Sequence, residues 1–157
     1  MFCKLTRSNV AAIATALAIG ATSLPASARS IVAFSGRSQN PADAGCFGEW
    51  FGTMRNYCST AKAFILPLTV DAAGYHNVTV SGYGASSSNN VGCMAIGVFK
   101  TTTDWASYYS SGTYYLPSFG AAADIVLPAT YVPGAGSLFV SCSVNPGGQI
   151  NVINWLW

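Results

Sequence analysis

The side chains able to do chemistry are few in this chain and lie scattered along it. There is a single histidine, His76, and a Ser-His-Asp hydrolase would have to use it as general base, with Asp71 upstream to orient the imidazole. No Gly-x-Ser-x-Gly nucleophile elbow accompanies it, and the plainer expectation is a histidine near solvent at a strand end. Glycosidases need two carboxylates facing each other across the sugar. The acids here, Asp43, Glu49, Asp71, Asp104 and Asp124, are single and dispersed, and Asp71 and Asp104 occupy ordinary turn and strand-end positions. Calcium-loop, dinucleotide and Walker-type spacings are absent, so no cofactor is expected. What the chain has in excess is aromatic rings. Trp105, Tyr108, Tyr109, Tyr114, Tyr115 and Phe119 crowd into one segment, interleaved with Ser and Gly. Such rings stack on flat apolar ligand faces, tyrosine hydroxyls hydrogen-bond sugars, and both anchor protein interfaces. Trp105, Tyr108, Tyr109, Tyr114 and Tyr115 are therefore the candidate binding residues. The competing expectation, core and cross-strand packing with one ring of each tyrosine pair turned inward, is the plainer of the two.

Whatever positions these rings folds outside the cytoplasm. Lys4 and Arg7 precede an apolar run over residues 10–20, and Ala26-Ser27-Ala28 has the small-residue pattern of a signal-peptidase site. The run is shorter than the roughly 20 residues that a membrane-spanning helix needs. We expect a leader over residues 1–28, cleavage after Ala28, and one domain over residues 29–157. The mature protein is then secreted, periplasmic or held at the cell surface, without a membrane span. The formal charge of +2 falls with the leader. Arg29, Arg37, Arg55, Lys62 and Lys100 balance the acids, leaving no basic footprint for nucleic acid.

Cys3 lies in the leader, and Cys46, Cys58, Cys93 and Cys142 remain. An even number in an exported chain reads as two disulfides, with three connectivities open. The favoured pairing is Cys46–Cys58, closing a short loop, with Cys93–Cys142 joining two core strands. Loop-closure entropy assigns them roughly 3 and 4 kcal/mol. A zinc site has little to support it, since no Cys-x-x-Cys occurs and there is only one histidine.

The rest of the chain reads as short strands. Residues 64–70 place Phe64, Leu66, Leu68 and Val70 on one face, the period of a half-buried strand. Residues 75–83 answer across a turn at 71–74, which suggests a hairpin. Residues 91–100 are apolar on both faces. Residues 113–116, 123–127, 138–144 and 150–157 complete the set, and Asn145-Pro146-Gly147-Gly148 fits a type II turn joining the last two as a second hairpin. Phe47, Trp50, Phe51 and Met54 have helical spacing, but Gly45, Gly48 and Gly52 weaken a helix, so a glycine-bent strand is equally expected there. Seven to eight strands with turn signals between them point to an all-β fold, an antiparallel, jelly-roll-like β-sandwich.

Gly52-x-x-x-Asn56-x-Cys58, Pro67 within a strand, Cys93, and Cys142 ahead of Ile150-Asn151 make the chain resemble small secreted bacterial β-sandwich proteins of unassigned function. The resemblance implies export and a sandwich fold and supplies no site. The functional expectation is a secreted, non-catalytic binding or structural module. It would recognise a glycan, an envelope component or a surface protein through the aromatic-rich segment. The alternatives are a secreted hydrolase using the dispersed acids or His76, and an outer-membrane barrel or filament component. The last is suggested by alternation over residues 151–157 and the aromatic end.

Overall fold

A computed structural model describes residues 28–102 and 106–156. Residues 1–27 of the expected leader, Asp104, Trp105 and Trp157 therefore lie outside the described residues. The described chain is almost entirely antiparallel strand: β1 Arg29–Val32, β2 Arg37–Ser38, β3 Phe47–Trp50, β4 Thr53–Asn56, β5 Lys62–Leu68, β6 Gly74–Tyr83, β7 Val91–Lys100, β8 Ala106–Ser110, β9 Tyr114–Tyr115, β10 Ala122–Val132, β11 Ser137–Val144 and β12 Gln149–Leu156. Three short 3-10 turns are the other regular elements among the described residues. The strands form two six-stranded sheets. In one the order is β10-β6-β12-β4-β3, with β1 also on β12; in the other it is β2-β5-β11-β7-β8, with β9 also on β7.

The two hairpins expected from sequence do not form. β5 and β6 lie in opposite sheets, and so do β11 and β12. Phe64 and Leu66 on β5 face Val78 and Val80 on β6 across the core, all buried. Period-two patterning tells which face of a strand is covered but not which strand lies beside it, so two inward-facing neighbours look the same whether paired or opposed. The expected turn at residues 145–148 is present. Gly147 has φ of 75° and the Gly148 N–H donates to the Asn145 carbonyl at 2.9 Å, but the turn carries the chain from one sheet to the other.

Apolar side chains fill the space between the sheets, and β11 follows its expected alternation, with Leu138, Val140, Cys142 and Val144 buried. A register shift between Ile150 and Val152 resets the parity of β12, so Ile153 and Trp155 also point inward. Two separate sheets over a packed apolar core make this a sandwich rather than the barrel that the C-terminal alternation allows. Cys46 pairs with Cys58 and Cys93 with Cys142, as favoured above. The strands beyond those expected, β1, β2 and β8, are short pieces, too brief to show periodicity, and the strand expected over residues 113–116 is present as β9.

The ambiguous segment at residues 47–54 is a tight hairpin, not a helix. Phe47 pairs with Asn56 and Trp50 with Thr53, and the two turn residues, Phe51 and Gly52, both have positive φ, 48° and 83°. That is the geometry of a type I′ turn, whose twist matches the flanking strands. The helical spacing of the four aromatic and methionine side chains arises because the turn splits them: Phe47 and Met54 pack toward the core while Trp50 and Phe51 stand in solvent.

Candidate functional site

Among the described residues the expected enzyme groups do not converge. His76 is buried, 2% exposed, where its strand enters the core. Its Nε2 lies 3.2 Å from the Ala72 carbonyl, and Nδ1 has no partner among the described residues. It is not near solvent, contrary to expectation, and makes no ion pair among the described residues. Asp71 pairs with Arg29, Asp43 pairs with Lys62 at 2.7 Å, and Glu49 accepts from the Gly52 N–H at 3.0 Å. These acids are thus used to hold strand ends and a turn.

Of the plainer expectation, the inward-turned ring is not found, since no ring of either pair enters the core, whereas the cross-strand packing is, with Tyr109 on Phe99 and Tyr115 over Gly92. Tyr108 is 71% exposed, and Tyr109, Tyr114 and Tyr115 are exposed as well. Alternation does separate them, but onto two surfaces. Tyr108 pairs with Val98 and Tyr115 with Gly92, so both rise from the outer face of the β7 sheet, with Met94 and Ile96 between them. At about 3.3 Å per residue, those positions lie roughly 20 Å apart along β7. Gly92 is what lets Tyr115 lie against the strand, because a Cβ there would come 2.4 Å from the ring.

Tyr109 turns the other way, into an aromatic row at the open rim of the sandwich. Its ring stacks on Phe99 with centroids 5.9 Å apart and meets Tyr131 edge-on at 5.3 Å, and Tyr131 meets Tyr75 at 5.2 Å. The row crosses from one sheet to the other because β10 passes against β7. At Gly97 a Cβ would lie 2.2 Å from the Tyr131 carbonyl oxygen. Tyr75 remains well exposed at the far end. Sequence reasoning missed this row, since Tyr75, Phe99 and Tyr131 are distant from the Tyr108–Tyr115 segment and only strand pairing brings them together.

A groove of about 580 Å³ opens on the outer face of the β5 and β11 strands, bordered by Arg37, Ile65, Pro67 and Phe139. A second aromatic site, also missed, lies on the opposite sheet. Trp50 (63% exposed) and Tyr57 (65% exposed) flank Arg55 and Gln149 around a cleft of about 250 Å³. No sequence signal singles it out beyond the exposed position that a Phe-Gly turn would give Trp50.

Neither a protein-family model nor a curated protein matches the sequence. Solved structures do match the fold. The chain is similar to the CBM36-1 domain of a multidomain xylanase from the hindgut metagenome of Trinervitermes trinervoides, with a TM-score of 0.51 and 15% identity over 82% of this chain and 96% of that one. It is also similar to the C-terminal CBM6 of LamC, a marine laminarinase from Zobellia galactanivorans, with a TM-score of 0.51 and 14% identity over 83% of this chain and 100% of that one. The shared feature is the β-sandwich. At this identity the likeness concerns the fold, and any site must be argued from the residues of this chain.

Proposed function

We propose that the protein is an exported, non-catalytic module that binds saccharides through its exposed tyrosines. One observation carries this reading: Tyr108 and Tyr115 stand in solvent on one outer face of the β7 sheet, and Tyr109 and Tyr114, also exposed, flank the same serine-containing segment. Exposed rings set among hydroxyls suit a ligand that offers both C–H faces and hydroxyl groups. The two modules of similar fold carry the names of carbohydrate-binding families, which agrees with the reading. Two disulfides suit an oxidising compartment, and among the described residues no helix is long and apolar enough to cross a membrane.

Retention on insoluble polysaccharides tests it. The intact protein should be retained by at least one of a panel of cellulose, xylan, chitin and β-glucan. Tyr108→Ala and Tyr115→Ala should each weaken retention by about tenfold while leaving the melting temperature unchanged, because both rings lie outside the core. Undiminished retention by both variants removes the tyrosine face from the account.

A further inference from the structure

The cleft on the β3–β4 hairpin is built differently from the tyrosine face, and its single charge decides what it would hold. Register pairing aligns Tyr83, Gln149, Arg55 and Gly48 in one row across four strands of the sheet, all on its outer side. Gly48 ends the row without a side chain, and there Tyr57 lies flat: a Cβ on Gly48 would be 2.5 Å from the Tyr57 ring. The Arg55 guanidinium sits 5.6 Å from the centre of that ring, a cation–π contact. Its Nε is closed off from solvent without a partner. The side chain is thus held by packing, and its terminal nitrogens are what remain for a ligand.

No carboxylate answers this charge among the described residues. The ion pairs there are Arg29–Asp71 and Lys62–Asp43. Glu49, close in sequence, pairs with Met54 on the core side of the hairpin, whereas Arg55 pairs with Gly48 on the outer side. Gln149 donates to Asn151 Oδ1 at 2.7 Å, which leaves its carbonyl oxygen as an acceptor for a hydroxyl. Trp50, at the rim, presents a ring that the hairpin holds in solvent.

We infer that this cleft binds a uronic acid unit of a polysaccharide. The sugar ring would stack on Trp50 and Tyr57, its carboxylate would meet the planar fork of Arg55, and a hydroxyl would reach Gln149. Guanidinium is matched to carboxylate in shape as well as charge. The cleft volume of about 250 Å³ is below that of pockets for drug-sized ligands, which suits one sugar unit or a chain end. The inference rests on the protein being a saccharide binder, but it uses none of the Tyr108–Tyr115 residues.

Titration calorimetry and Trp fluorescence with the whole mature protein test it, using oligogalacturonate, oligoguluronate and oligomannuronate, each beside its carboxyl-reduced counterpart. A sulfated galactan oligosaccharide serves as a further anion. At least one uronate oligomer should bind, at least about tenfold more tightly than its reduced form, and binding should weaken as salt rises. Arg55→Gln should lose that preference, Arg55→Lys should keep part of it, and Trp50→Ala should weaken binding and remove the fluorescence change. No binding by any uronate, equal binding of the reduced forms, tighter binding of the sulfated oligomer, or indifference to Arg55→Gln each overturns the inference. Retention on neutral polysaccharides that depends on Tyr108 and Tyr115, with no uronate binding, would overturn it while leaving the tyrosine face standing. Uronate binding with no tyrosine-dependent retention would reverse that outcome.

Discussion

The side-chain amide of Asn56, at the end of β4 in one sheet, donates to the main-chain carbonyl of Val144, at the end of β11 in the other, at 2.7 Å. The same amide donates to the Thr60 carbonyl at 2.9 Å, and its oxygen accepts from the Cys58 N–H at 2.9 Å. The main chain of Asn56 closes on the turn that follows Val144, donating to the Gly148 carbonyl and accepting from the Gly147 N–H. One buried side chain thus serves three main-chain groups at the point where the sheets are joined and where the Cys46–Cys58 loop returns.

Asn56→Ala should therefore destabilise the protein by about 3 kcal/mol, because buried partners are left unpaired. Asn56→Asp keeps the shape but turns an acceptor toward two carbonyl oxygens, and at neutral pH it should be at least as damaging. Its deficit relative to the parent should shrink as pH falls, since protonating the new carboxylate restores a donor. Urea denaturation at two pH values reads both effects. A loss below about 1 kcal/mol for both variants would show that the amide is dispensable.

Cys93 and Cys142 are direct cross-strand partners on β7 and β11, with Cα atoms 4.1 Å apart and both side chains fully buried. The closed loop, with a sequence separation of 49, is longer than the separation of 12 spanned by Cys46–Cys58. Replacing both members by Ala should cost about 4 kcal/mol for the Cys93–Cys142 pair and about 3 kcal/mol for the Cys46–Cys58 pair. Chemical denaturation of the two double variants checks the ranking, and the reverse order would mean that strain or residual structure outweighs loop entropy.

Two glycines of β7 offer a sharper contrast. Gly92→Ala would push against the end of the exposed Tyr115 ring, which can swing aside, whereas Gly97→Ala would push against the Tyr131 carbonyl, which is main chain. We expect Gly92→Ala to lower the stability by less than about 1 kcal/mol and Gly97→Ala by roughly 3 kcal/mol. Gly92→Ala should also lower polysaccharide retention in the manner of Tyr115→Ala, because the ring loses its seat. Thermal melts together with the retention assay separate the two effects.

Much of the fold was legible in these residues. The inward rows of β5, β6 and β11, the type II turn at Asn145–Gly148 and both disulfides follow from alternation, turn chemistry and cysteine arithmetic. Pairing was not legible: β5 and β6 read as a hairpin because a buried face has the same signature against a neighbour or across a core. The candidate site was legible only in part. Tyr108, Tyr109, Tyr114 and Tyr115 announce themselves by clustering, but the row from Phe99 through Tyr131 to Tyr75 and the cleft around Arg55 are assembled by register. Phe47, Trp50, Phe51 and Met54 misled by spacing alone, since a two-residue turn returns the chain as a helical period would.

That turn leaves one residue at odds with its backbone. Phe51 holds a φ of 48°, a region that bulky side chains adopt rarely, and it is 87% exposed, so little packing offsets the strain. Its ring meets Trp50 at 5.2 Å. Phe51→Asn, which tolerates the left-handed region, should raise the stability by up to about 1 kcal/mol. Uronate binding should hold or fall slightly, depending on how far the Trp50 ring relies on that contact for its position. A clear loss of stability in Phe51→Asn would mean that the Trp50–Phe51 contact outweighs the backbone preference, and the hairpin tip would then have to be regarded as a packed element rather than a strained one.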